Sequence, residues 1–185
     1  RHYGYAGMDE EDKETFASAI YKRTLGNAVA KFKNGDYAAA ITGMEEALSV
    51  INFTSKTADF ANLTKLAVEA AFKINDYDRA LFHQQKLLVF LQEKEQQQVD
   101  KISEAYYLLG ILYSRVENYS ESIRYLREAI KLWSESEELD RLAEAKATLG
   151  VVKENEGDYS SALSNFDDAY RLYDDIGEIG DVALQ

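Results

Sequence analysis

Leu149 to Ala169 reads LGVVKENEGDYSSALSNFDDA, and the rest of the chain is a set of looser copies of it. Its centre, Gly157-Asp158-Tyr159, recurs as Gly35-Asp36-Tyr37, Asn75-Asp76-Tyr77 and Glu117-Asn118-Tyr119, so the tyrosines stand in steps of 40, 42 and 40. Three places after each tyrosine comes a small residue (Ala40, Ala80, Ser122, Ala162), then Ile41, Leu81, Ile123 and Leu163, and later Ala47, Leu87, Ala129 and Ala169. A fixed period of this length marks stacked helix pairs, because one pair cannot bury its apolar face without a neighbour. The expectation is an all-α solenoid of four helix-turn-helix repeats, whose function is binding.

The pattern resembles the tetratricopeptide repeat, in which two antiparallel helices cross at small residues and an aromatic follows the turn. Leu109-Gly110 followed by Tyr113, Asn118-Tyr119, Ser122, Leu126 and Ala129 is one match. Leu149-Gly150 followed by Gly157-Asp158-Tyr159, Ala162, Phe166 and Ala169 is the other. The resemblance covers residues 14–175, divided at about 14–55, 56–97, 98–137 and 138–175, and implies a right-handed superhelix. The period exceeds the usual length of about 34 for this class, which is similar to the longer variant of rapsyn and the Pins/LGN-type adaptors. Lys146 and Lys153 stand where large apolar residues are usual, and no proline closes any repeat.

Composition agrees with a helical array. The 185 residues are 46% hydrophobic, enough for one extended domain with a continuous core. The absence of proline suits long helices, since proline removes a helical donor and clashes with the preceding turn. A net charge of −12 opposes nonspecific binding to nucleic acid or anionic lipid. With no cysteine there are neither disulfides nor thiolate zinc sites, which fits a reducing, cytoplasmic compartment. No apolar run reaches the ~18 residues of a membrane span.

Residues 1–13 carry glycine, tyrosine and an acidic cluster without helical period, and are expected to form a flexible lead-in. From Glu14 the residues Tyr21, Leu25, Ala28 and Phe32 follow steps of 4, 3 and 4, the spacing of one helix face. Later helices are expected near 37–50, 58–74 with Ser55 or Thr57 as N-cap, and 77–95 running on through the glutamine tract, with a third repeat from about 99 to 134. The last ten residues, IGEIGDVALQ, read as the start of a truncated fifth repeat or a capping helix. They are too short to cover the apolar face left by the fourth repeat. The chain is therefore expected to be a fragment of a larger protein, with an open end capable of self-association.

Chemistry is nearly absent. There is no phosphate-binding glycine loop, no paired-histidine zinc motif and no nucleophile elbow. His2 and His83 cannot form a zinc site without cysteines, and His83 reads as a structural histidine. The pairs Asp167-Asp168 and Asp174-Asp175 follow no calcium-loop spacing. No catalytic residue, metal site or cofactor is assigned.

What remains is the inner surface. In the tetratricopeptide family the first helix of each repeat lines a concave groove. The resemblance carries that face onto Phe32 and Lys33, then Asn62, Lys65, Glu69, Phe72 and Lys73, then Tyr107, Ile111 and Arg115, and finally Glu144, Ala147, Val151 and Glu154. Lys33, Lys73 and Arg115 make a basic row beside aromatic residues in an acidic chain, which suits an acidic, amphipathic protein segment. The alternative is that these lysine stems merely cover apolar surface. Family members that clamp a C-terminal carboxylate use basic residues and asparagine on successive first helices. Arg23 and Asn27 stand two residues out of that register, and Tyr107, Ile111, Ala147 and Val151 occupy the later basic places. Three functions follow, in descending order: a noncatalytic scaffold holding a partner segment, a regulatory module controlling an effector domain elsewhere in a longer chain, and an enzyme.

Overall fold

Each of the four tyrosine triplets is a tight reversal of the chain. In the computed structural model, which describes residues 9–51 and 57–183, the backbone is left-handed at Gly35 (φ 80°), Asn75 (57°), Glu117 (59°) and Gly157 (90°). That conformation lets the next amide reach back and close the preceding helix. Asp158 N–H donates to Lys153 O at 2.9 Å, and Asp36, Asp76 and Asn118 do the same to Lys31, Ala71 and Tyr113. The same residues then cap the following helix. Asp36, Asp76, Asn118 and Asp158 each accept, through a side-chain oxygen, the backbone N–H three residues on. One triplet thus ends one helix and starts the next.

The described residues form eight helices and no strand: α1 (Glu10–Lys33), α2 (Tyr37–Ile51), α3 (Thr57–Lys73), α4 (Tyr77–Lys94), α5 (Val99–Arg115), α6 (Tyr119–Glu135), α7 (Leu139–Glu156) and α8 (Tyr159–Ala183). The chain divides into two units, Arg1–Leu87 and Leu88–Gln185. In the first, α1 packs on α2 and α2 on α3. Its core is Tyr21, Ala28, Ala40, Met44, Ala47, Leu63 and Ala67. In the second, α5 packs on α6, α6 on α7 and α7 on α8. Its core gathers Tyr107, Ile123, Leu126, Ala129, Trp133, Leu142, Ala145, Leu149 and Val152.

The small residues sit where helices cross. A Cβ on Gly110 would lie 2.6 Å from Leu126 Cγ, and one on Gly150 would lie 2.7 Å from the Phe166 ring. Ala40, Ala80, Ser122 and Ala162 are all buried, and Ser122 Oγ donates to Gly110 O at 2.7 Å. The two lysines that depart from the repeat pattern are held by acids. Lys146 Nζ meets Asp168 on α8 at 2.6 Å, and Lys153 Nζ lies 2.8 Å from Glu156 and 3.5 Å from Asp158.

Four boundaries differ from expectation. The lead-in gives way to helix at Glu10 rather than Glu14, because Asp9 caps α1 by accepting Asp12 N–H at 2.8 Å and the acidic first turn complements the helix dipole. The glutamine tract does not extend α4. The helix stops at Lys94, and Gln98 N–H closes a turn on Glu95 O at 2.8 Å, because the chain must reverse for α5 to pack. Thr57 is the first helical residue of α3 rather than its cap, and Ser55 lies outside the described residues. Finally, no connector follows Asp175: α8 runs on to Ala183 through Gly177. Gly177 and Gly180 each cost about 1 kcal/mol relative to alanine, and neither ends the helix.

His83 is a packed core residue. It is 2% exposed, its Nε2 lies 3.0 Å from Glu45 Oε1 across α2 and α4, and Arg79 approaches the same carboxylate at 3.8 Å.

Candidate interaction surfaces

The residues assigned to an inner surface fall into two sets, one in each unit. In the first unit, α3 presents Asn62, Lys65, Glu69, Phe72 and Lys73 as an exposed strip, spaced by three and four residues along one face. Lys33 is exposed at the end of α1, and Phe32 beside it is half-buried. Both phenylalanines also serve the turns. Phe32 meets Tyr37 edge-on at 5.3 Å, and Phe72 meets Tyr77 at 5.6 Å.

In the second unit the structure brings Ile111, Arg115 and Val151 together. They line a groove of about 520 Å³ with Ser114, Glu117, Tyr119, Thr148, Val152 and Asn155. The groove runs between the C-terminal halves of α5 and α7 and includes residues of the turn that leads into α6. Val151 is 47% exposed on its wall. Glu117 and Arg115 contribute one charge of each sign to the lining, and Ser114, Thr148 and Asn155 supply hydrogen-bonding groups.

Tyr107 takes a different position. It is 8% exposed, packs edge-on against Trp133 at 5.4 Å, and donates its hydroxyl to Glu144 at 3.1 Å while lying 3.0 Å from Thr148 Oγ1. It ties α5 to α7 beneath the groove, and burial pushes its hydroxyl pKa up. Elsewhere on the face of α7 assigned to the inner surface, Glu144 and Glu154 are exposed and Ala147 is half-buried. Arg23 and Asn27 are exposed on α1.

Thr148 and Asn155 carry no signal of their own in the sequence. Asn155 could have been found by register, since it stands four residues before Tyr159 as Lys33, Lys73 and Arg115 stand before their tyrosines. Among the described residues no cluster of histidine, aspartate or glutamate could hold a metal, and no helix is long and apolar enough to cross a membrane.

Antiparallel helix pairs, a capped left-handed turn and small residues at each crossing define a helical-repeat array. Residues 101–175 match the family model described as tetratricopeptide repeat, and that stretch carries repeats of the family. No curated protein matches it in sequence. Among solved structures it is similar to aspartyl phosphate phosphatase F from Bacillus subtilis, with TM-score 0.72 and 13% identity over 93% of this chain and 45% of that one. It is similar to the Rap conjugation gene regulator of plasmid pLS20 in complex with the Phr* peptide, with TM-score 0.61 and 18% identity over 82% of this chain and 42% of the other. The likeness to MamA has TM-score 0.63 and 17% identity over 92% of this chain and 98% of MamA. The chain thus spans less than half the length of the first two.

Proposed function

We propose that the chain is a noncatalytic interaction scaffold that holds a segment of a partner protein in the groove between α5 and α7. The observation that carries this is the meeting of Ile111, Val151 and Arg115 around a groove whose remaining lining can hydrogen-bond a main chain. An apolar side chain of the segment sits on Ile111 and Val151. Asn155 and Thr148 bond its amides, and Arg115 takes a carboxylate. The acidic, amphipathic partner expected from the basic row is narrowed here, because Glu117 shares the groove with Arg115 and favours a segment with a single acid near its anchor. The regulator solved with its Phr* peptide supports a peptide as the occupant. That likeness also favours the second reading, a regulatory module acting on an effector domain, since the regulator is more than twice as long as the matched part.

The test is capture of partners by the immobilised chain, followed by calorimetry of the captured segment against Ile111→Asp, Val151→Asp and Arg115→Ala. Each apolar variant should weaken binding by more than ~1 kcal/mol, the level of a significant interface residue. Arg115→Ala should mainly slow association and reduce its salt dependence. Unchanged affinity in all three variants, each with parental helicity, overturns the groove assignment.

A further inference from the structure

Ile102 and Tyr106 stand nine residues before Ile111 and Arg115, about two and a half helical turns, and so face the opposite way from α5. They line a second groove of about 310 Å³, to which α4 and α6 also contribute. Val99, 41% exposed, and the half-buried Leu132 complete its apolar lining. Glu128 on α6 is its one charged residue among the described residues, and no hydrogen bond or ion pair within them reaches that carboxylate. Arg124, one turn earlier, is held by Glu121, and Lys101 on α5 by Glu95. Arg127 and Lys131 are exposed on α6 and do not line the groove. Tyr106 is engaged elsewhere: its hydroxyl accepts from Gln92 on α4 at 2.9 Å, and its ring lies 6.0 Å from Tyr125.

The repeat shows what such a place takes. One period later Ile102, Tyr106, Glu128 and Leu132 are Leu142, Lys146, Asp168 and Leu172. There Lys146 sets its ammonium on Asp168 at 2.6 Å, with its side chain only 24% exposed. The third repeat keeps the acid and both branched apolar residues but has no lysine of its own to lay between them. A lysine or arginine fits such a site because its apolar stem can cover hydrocarbon while its head reaches a carboxylate.

We propose that this outer groove receives a lysine or arginine of another protein, flanked by apolar residues, with its stem on Ile102 and Leu132 and its charge on Glu128, as Lys146 meets Asp168. Stacked repeats touch only their neighbours, and α3 and α7, the sequence neighbours of these three helices, are both described, so stacking leaves the groove open. A second copy would bring a net charge of −12 toward an acidic site. The surface shares no lining residue with the α5–α7 groove and does not rest on its reading.

The probe is the peptide acetyl-Leu-Lys-Leu-amide, compared with its norleucine analogue, which keeps the alkyl stem and loses the charge. Both are titrated into the whole chain and followed by methyl NMR. The Val99, Ile102 and Leu132 signals should shift together and saturate, while those of Ile111 and Val151 stay still. At low salt the lysine peptide should bind about threefold or more tighter than the analogue, and the preference should vanish in 1 M salt. Glu128→Gln should abolish it too, with the fold intact because that side chain is exposed. Tyr106→Lys, which copies the fourth repeat, should do the same by giving Glu128 a cation of its own. In the cells that make the protein, benzoylphenylalanine in place of Val99 should on irradiation form an adduct with another protein, at a stretch where a lysine or arginine adjoins an apolar residue. Equal binding of the two peptides, a preference that survives Glu128→Gln, or no adduct beyond this chain's own sequence overturns the proposal.

Discussion

The α5–α6 and α7–α8 pairs share one backbone plan and fasten it differently. In the first pair Tyr106, Tyr113 and Tyr125 form a ladder: Tyr113 stacks on Tyr125 at 5.4 Å and 7°, Tyr106 lies 6.0 Å from the same ring, and Arg124 caps it at 4.0 Å. One period later those three tyrosines are Lys146, Lys153 and Asn165. There the helices are joined by Lys146 to Asp168, and the turn by Lys153 to Glu156 and Asp158. The crossing itself is kept, Leu126 over Gly110 in one pair and Phe166 over Gly150 in the other. Small residues at the crossing are therefore what the repeat requires, while the seam beside it accepts either rings or ion pairs.

The largest effects are expected where the two pairs agree. Gly110→Leu and Gly150→Leu should each cost about 1 to 3 kcal/mol by overpacking, measured by urea unfolding followed by circular dichroism. A neutral result at either glycine would mean that the crossing is looser than its neighbour's side chain implies.

Smaller effects should separate the pairs. Tyr125→Ala removes two ring contacts worth about 0.5 to 1.5 kcal/mol each together with the Arg124 contact, and most of its cost should persist between low salt and 1 M salt. Lys146→Ala breaks a pair whose Asp168 carboxylate is 44% exposed, so it should cost no more than about 0.5 kcal/mol, fading in salt. Equal salt dependence of the two variants would abolish the distinction between ring and ion-pair seams.

The smallest effect is acid sensitivity at the turn before α8. Hydrogen bonds from Ser161, and then Lys153, hold the Asp158 carboxyl below its usual pKa. A lowered folded pKa stabilises above the unfolded value of about 3.9 and is lost as pH falls through the folded one. Melting temperatures taken between pH 6 and pH 3 should therefore converge for the parent chain and Asp158→Asn at the acid end. A difference that persists unchanged at pH 3 would exclude the carboxylate's charge as its source.

The turns were legible in the sequence because their chemistry is local: a left-handed residue, an oxygen-bearing cap and a tyrosine are three adjacent letters. Gly110 and Gly150 were legible by register for the same reason. Helical spacing could not separate Tyr107 from Ile111, since both lie on the inward half of α5 and only the position of α7 turns one into a seam and the other into a groove wall. Thr148 and Asn155 are small polar residues that become part of a surface only when α5 stands beside them. The end of α4 was not legible, because propensity in a glutamine tract is weaker than the need of α5 to fold back, nor was the course of α8, because a glycine is not a stop signal unless it adopts the left-handed turn of Gly157.

Within each unit helix packing among the described residues is chiefly between neighbours in sequence, with α5 against α7 and the His83–Glu45 contact of α4 with α2 as exceptions. Contact order is therefore low, and chains of that kind pay little loop-closure entropy before packing rewards it. A ribosome releasing this chain would not need to hold it until the last residue emerged: α1 and α2 can close on each other once α2 is out, and α6, α7 and α8 each find the preceding helix already made.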